Sequence, residues 1–105
     1  MYGYTMHIPA PREAYEAMHR AVLEVIDEDG GGDGLVLHLA YETEQGFDLT
    51  EVWESKEQLD AFNETVFPKA MARAGVAMEG PAPATLEFEP LEVVTTGPVS
   101  GDRPA

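Results

Sequence analysis

A chain of 105 residues with 44% hydrophobic side chains is long enough for one globular domain with a modest core. The absence of cysteine excludes disulfides, thiolate catalysis and cysteine-ligated metals. Twenty acidic and six basic side chains leave a net charge of −14; a field of that sign repels phosphate backbones and anionic lipid, so neither nucleic acid nor a membrane is an expected partner.

Tyr2 to Ile8 alternates, with Tyr2, Tyr4, Met6 and Ile8 on one side and Gly3, Thr5 and His7 on the other, the period of a half-buried strand. Pro9 and Pro11 close it, and Pro11 suits the first turn of a helix. From Pro11 to about Asp27, Tyr15, Met18, Val22 and Val25 recur at spacings of three and four, an amphipathic helix with its charges outward. His19 lies beside this stripe, where a solvent-facing or capping role is expected. Asp27 to Gly34, DEDGGGDG, stops the helix. Its glycines do not make a phosphate loop, because no Lys-Ser/Thr follows and a strand comes next, so it reads as a flexible connector.

Leu35 to Glu42 and Phe47 to Trp53 form the next two strands, joined across Glu44-Gln45-Gly46. In the first, Leu35, Leu37, Leu39 and Tyr41 share one face and Val36, His38 and Ala40 the other. Both faces are largely apolar. Two helices can cover only one, so a second copy of the chain is expected on the other, a homodimer through the sheet. If Thr43 and Gly46 face each other, His38 falls opposite Glu51, Ala40 opposite Leu49 and Val36 opposite Trp53. Ser55 with Gln58 is a capping box opening a helix that carries Leu59, Phe62 and Val66 towards Ala74, ended by Gly75. Pro68 should kink or split it. Gly80 to Pro83 reads as a spacer, and Thr85 to Thr95 as a final strand interrupted by Pro90. The domain then spans residues 1–96, with 97–105 a frayed tail.

The order β-α-β-β-α-β describes a ferredoxin-like α+β domain, an antiparallel sheet with its helices on one face. With EVWES entering a helix that carries AFNETVFPKA, the chain resembles the dimeric α+β barrel superfamily: antibiotic-biosynthesis monooxygenase-like proteins, haem-degrading monooxygenases and stress-responsive barrel proteins. The stretch from Gly34 to Val76 looks closest to a group of small actinobacterial proteins of unassigned function. The resemblance covers nearly the whole chain up to about Thr95. It implies a ligand cavity between sheet and helices in each subunit, and a dimer that closes two sheets into a barrel. Haem-degrading members use an asparagine on the first strand, a tryptophan on the third and an axial histidine on the second helix. Trp53 fits the tryptophan, but the first strand has no asparagine and residues 55–74 no histidine. No cofactor is therefore expected.

The residues that can carry chemistry centre on His38 and Glu51. A carboxylate beside an imidazole fixes its tautomer and raises its basicity, as a general base requires. The same pair is equally a buried hydrogen bond that fixes strand register. It is poor as a metal site, having no third ligand at a defined spacing. Trp53 is either a core anchor or a stacking platform. Tyr4, Tyr15, Phe62 and Phe67 are core candidates that can also wall a ligand cavity. Two functions from different classes follow. One is a cofactor-independent monooxygenase-type enzyme acting on an aromatic or polyketide-like substrate, with His38, Glu51 and Trp53 as its machinery. The other is a non-catalytic ligand-binding or stress-responsive dimer. No apolar run reaches the roughly 20 residues of a spanning helix and the N-terminus lacks a signal-peptide pattern, so a cytoplasmic location is expected.

Overall fold

The computed structural model describes residues 1–76 and 83–95. Strand β1 (Tyr2–Ile8) is followed by helix α1 (Arg12–Asp29), strands β2 (Leu35–Thr43) and β3 (Gly46–Trp53), helix α2 (Lys56–Ala74) and strand β4 (Thr85–Phe88). The four strands make one antiparallel sheet in the order β2-β3-β1-β4. The helices pack on each other and on one face of this sheet. The expected spacer at residues 80–82 and the tail at 97–105 lie outside the described residues.

Local chemistry explains each boundary. Pro11 occupies the cap position of α1 in an extended conformation. Ser55 Oγ accepts the Gln58 amide at 3.2 Å and its hydroxyl donates to Gln58 Oε1 at 2.9 Å, so the cap satisfies an amide that the first helical turn leaves unpaired. Gly75 ends α2 in the left-handed conformation with its amide returned to Ala72 and Met71. Pro68 lies inside α2, which continues as a single helix from Lys56 to Ala74 instead of splitting.

Two departures from the sequence reading have clear causes. Between Leu35 and Leu37 the β2–β3 register shifts: Leu35 pairs with Trp53 and Leu37 with Val52. Val36 is therefore the extra residue of a bulge, not the partner of Trp53. The pairs His38–Glu51, Ala40–Leu49 and Thr43–Gly46 stand as expected. The last strand covers only Thr85–Phe88 and stops before Pro90, which has no amide to give to a ladder; Leu91 beyond it is fully exposed.

The connector after α1 is closely fitted. At Gly31 (φ +110°) a Cβ would come within 2.6 Å of Val66 Cγ2, so a side chain would push into the inter-helix core. Glu28 and Asp29 just before it bind Arg73 (2.7 and 2.8 Å) and Lys69 (2.5 Å), tying the end of α1 to α2. At the other end of the hairpin, a Cβ on Gly46 would meet the Ile8 carbonyl oxygen at 2.1 Å.

The core has two parts. Ala21, Val25, Val66, Ala70 and Met71 are buried between the helices, and Tyr4, Trp53 and Leu59 between α2 and the sheet. Phe62 packs against both. The opposite face of the sheet carries the exposed apolar residues Leu39, Tyr41, Leu86 and Phe88.

Candidate functional site

On the helix-covered face, β3 brings Glu51 beside Tyr4 of β1 and His38 of β2, each its direct cross-strand neighbour. This follows from the antiparallel register alone: three strands deliver three polar side chains to one face at one level. Glu51 is the buried polar residue of the core, 8% exposed. A carboxylate is tolerated there only if its lone pairs are satisfied. Three donors do this. The Tyr4 hydroxyl donates to Oε1 at 2.6 Å, the Trp53 indole N–H donates to the same oxygen at 3.1 Å, and His38 Nδ1 lies 2.5 Å from Oε2.

Burial works to raise the Glu51 pKa, but the hydrogen bonds from His38, Tyr4 and Trp53, with the positive charge that His38 carries whenever it is protonated, outweigh it and hold the carboxyl below its usual value. Tyr4 moves the other way. Its burial, then the negative charge of Glu51 and the bond to it, push its pKa well up, so the phenol stays a donor.

An ionised Glu51 can only accept, so the proton in the short contact belongs to His38 Nδ1. That leaves Nε2 of a neutral ring as an acceptor, and the Tyr15 hydroxyl is 2.8 Å from it. The chain of contacts thus runs from Trp53 and Tyr4 through Glu51 and His38 to Tyr15. Exposure rises along it, from 10% at the Glu51 side chain to 27% at His38, and the far end lies under α1 at the edge strand β2.

The structure brings His38, Glu51, Trp53, Tyr4 and Tyr15 together. Phe62 stands one step away, packed on the Trp53 ring at 5.4 Å, and Phe67 two steps away, packed on Phe62 at 6.4 Å. Trp53 is 1% exposed; in this arrangement its indole is a core anchor and a donor to Glu51. His19 is the residue that sequence reasoning missed. It is not turned to solvent but stacks on Tyr15 at 5.4 Å and on His38 at 5.6 Å, with planes within 18°. The available signal was its position four residues after Tyr15, which puts both rings on one helix face.

A second histidine–carboxylate pair lies on the opposite sheet face. His7 Nδ1 is 2.6 Å from Asp48 Oδ1, and Tyr41 donates to Oδ2 at 3.1 Å. The bond from His7 lowers the Asp48 pKa, but this pair is solvated, so its electrostatics are screened. Two open clefts, of about 360 and 370 Å³, border the β2–β3 turn and include Thr43, Glu44 and Gln45, away from His38. Among the described residues no group of three or more metal-ligating side chains occurs, and no helix is long and apolar enough to cross a membrane.

No protein-family model matches the chain, and no curated protein matches it. Solved structures do. A crystal structure of an antibiotic biosynthesis monooxygenase-like protein from Chloroflexus aurantiacus J-10-fl is similar with TM-score 0.62 and 19% identity, over 91% of this chain and 98% of that one. A corresponding protein from Nitrosomonas europaea gives 0.57 and 16%, over 88% and 100%. The haem-degrader of Mycobacterium tuberculosis, with two haems bound in its active site, gives 0.50 and 19%, over 90% and 100%. Sequence order, sheet topology and these superpositions agree: the chain has the ferredoxin-like α+β fold of the antibiotic-biosynthesis monooxygenase-like proteins.

Proposed function

We propose that the protein is a homodimer that binds a small flat aromatic or polyketide-like molecule and acts on it as a cofactor-independent, monooxygenase-type enzyme. The observation that carries this reading is the 2.5 Å contact between His38 Nδ1 and Glu51 Oε2. It holds the imidazole in the tautomer whose Nε2 accepts a proton, next to a carboxylate that stabilises the resulting imidazolium. Removing a proton from a phenol or enol leaves an electron-rich anion, the form of such substrates that reacts with oxygen. Tyr4 and Trp53 hold Glu51 in place, Tyr15 lies against His38, and Phe62 and Phe67 extend the aromatic packing from Trp53.

The exposed Leu39, Tyr41, Leu86 and Phe88 support dimerisation through the uncovered sheet face, where a second copy would remove them from water. The haem chemistry of one structural neighbour is not carried over. Helix α2 contains no histidine and β1 no asparagine, so two of the residues expected of the haem-degrading members are lacking.

A second reading, a non-catalytic ligand-binding dimer, is favoured by one observation: Tyr15 closes the network over His38, as a purely structural cluster would. Turnover of anthrone-like substrates separates the two. The enzyme reading expects His38→Ala and Glu51→Gln to abolish oxidation in a folded protein. An unchanged rate in either variant removes the proposed base.

A further inference from the structure

Three rows of side chains cross the uncovered face of the sheet. The row nearest the β2–β3 turn holds His7, Asp48 and Tyr41, in register on β1, β3 and β2. The next holds Thr5 and Thr50 between Leu86 and Leu39. The third, from Phe88 to Leu37, carries no polar side chain. The chain has 20 acidic side chains, yet these rows hold one, Asp48, beside the one group able to balance it, His7. Their polar groups are also matched on the spot. The Thr5 and Thr50 hydroxyls bond each other at 2.8 Å, His7 Nδ1 is 2.6 Å from Asp48 Oδ1, and Tyr41 donates to Oδ2 at 3.1 Å. A face that is apolar, nearly free of charge and internally satisfied can be covered without stranding a donor or acceptor. A partner of opposite charge has almost nothing to recognise there. A second copy brings the same apolar rows, with their polar groups already matched.

We propose that this face joins two copies of the chain in a dimer whose strength is set by the protonation of His7: weak while the imidazole is neutral, tighter once it is an imidazolium paired with Asp48. This rests on the reading of the uncovered face as the dimer interface and adds what regulates it. The cause is the charge that has to be buried. With His7 neutral, each face carries the single negative charge of Asp48, so closing the dimer takes two like charges out of water. A proton on His7 turns each of them into a neutral pair along a hydrogen bond that already exists. Asp48 stays ionised through this change, because the bond from His7 first, and then that from Tyr41, hold its carboxyl below the ordinary value.

The other ionisable groups around His7 act in the same sense or not at all. Glu44 of the turn borders the same cleft as His7 and Asp48 and adds negative charge that an imidazolium offsets. Tyr41 stays a neutral phenol, since its bond to Asp48 raises its pKa. On β4 the register ends at Thr85, opposite Met6, so no described residue of that strand lies opposite His7. The helices are on the other face. Dimerisation therefore takes up protons, and falling pH tightens it through the range in which an imidazole gains its charge, from about pH 8 to about pH 5.

The test is sedimentation equilibrium of the full chain at about pH 8 and about pH 5.5 in one fixed salt concentration. Wild type should dimerise at least about tenfold more tightly at the lower pH. His7→Gln can still donate to Asp48 but cannot be charged. Its dimer should be as weak as that of wild type at the higher pH and change less than about twofold between the two. His19 and His38 remain in this variant, so it also controls for their titration. Asp48→Asn removes the buried charge and should dimerise about tenfold more tightly than wild type at the higher pH, gaining nothing on acidification. Circular dichroism at both pH values checks that each variant is folded. If wild type is a monomer at both pH values, the interface itself falls and this proposal with it. A wild-type dimer of equal or weaker affinity at the lower pH leaves the interface standing and overturns the switch. Tightening in either variant equal to that of wild type places the proton elsewhere and overturns the role of His7.

Discussion

Replacing Glu51 in two ways separates its charge from its role as an acceptor. Its oxygens have distinct jobs: Oε1 takes the Tyr4 hydroxyl and the Trp53 indole, and Oε2 takes His38 Nδ1. Glu51→Leu removes both oxygens. The two deeply buried donors, on Tyr4 (8% exposed) and Trp53 (1%), are then left without partners at about 1–3 kcal/mol each, or about 2–6 kcal/mol together. His38 is partly exposed and recovers water, so it adds little. Against a total stability of about 5–15 kcal/mol for a domain of this size, this is a large fraction, and the variant is expected to unfold at clearly lower urea than Glu51→Gln. Glu51→Gln keeps an oxygen at the Oε1 position and turns its NH₂ towards His38. Two donors cannot face each other, so His38 must shift its proton from Nδ1 to Nε2, and the Tyr15 oxygen can accept it. Only the charge assistance is lost, about 1–2 kcal/mol. Urea melts give the two stabilities and imidazole nitrogen NMR gives the tautomer. The reasoning is refuted if Glu51→Leu is as stable as Glu51→Gln, or if His38 keeps its Nδ1 proton in the Gln variant.

The low pKa of Glu51 has a pH signature. A carboxyl depressed by folding contributes stability above its unfolded pKa, near the ordinary 4.5, and loses it as pH falls through the folded value. Acid unfolding should thus be shallower in Glu51→Gln than in wild type, measured by fluorescence of the single tryptophan. Tyr4 has the opposite sign: its raised pKa contributes stability below about pH 10, the ordinary tyrosine value, that is lost as pH climbs towards the folded value, so alkaline melts should show a limb absent in Tyr4→Phe. Leu39→Glu, on the uncovered sheet face, should weaken self-association at least about tenfold, ~1.4 kcal/mol, while leaving the circular dichroism unchanged; sedimentation at wild-type mass would argue against that interface. Gly31→Ala should cost about 1–3 kcal/mol, because its Cβ combines an unfavourable backbone angle with a clash against Val66; a thermal melt matching wild type would show that the connector yields freely.

Much of the fold was legible because each of its signals is local. Alternation in Tyr2–Ile8, the three-and-four spacing from Tyr15 to Val25, and Ser55 with Gln58 each specify an element without reference to the rest of the chain. The His38–Glu51 contact was legible for a related reason. A two-residue turn between Thr43 and Gly46 fixes which residues face each other, and that count holds as far as Leu37. It fails at Val36, since a bulge inserts one extra residue into a strand, which periodicity does not record. The last strand was overextended for a similar reason. Leu91 and Val93 resume an apolar alternation, but hydrophobicity does not supply the amide that Pro90 lacks.

The residues that were misjudged or underused, His19 and Tyr15, share one cause. Their roles depend on how α1 lies across the edge strand β2, a tertiary fact that neither segment carries alone. Tyr15 read as a core aromatic that can also wall a cavity because its spacing is that of a core stripe, and its position within the stripe is indeed inward. What the spacing cannot convey is that the stripe meets an imidazole there instead of another apolar side chain. The consequence bears on function. Glu51 and His38 are set by strand register and would be brought together by any arrangement of the helices, so their pairing alone fits a structural bond as well as a base. Tyr15 reaches His38 only with α1 docked at its observed position. The contact made by Tyr15 is therefore the part of the site that discriminates between the two readings. A base at His38 Nε2 does not need the Tyr15 oxygen, whereas a structural cluster uses it to satisfy the imidazole and needs the ring to fill its space. Tyr15→Phe fills that space and lacks that oxygen.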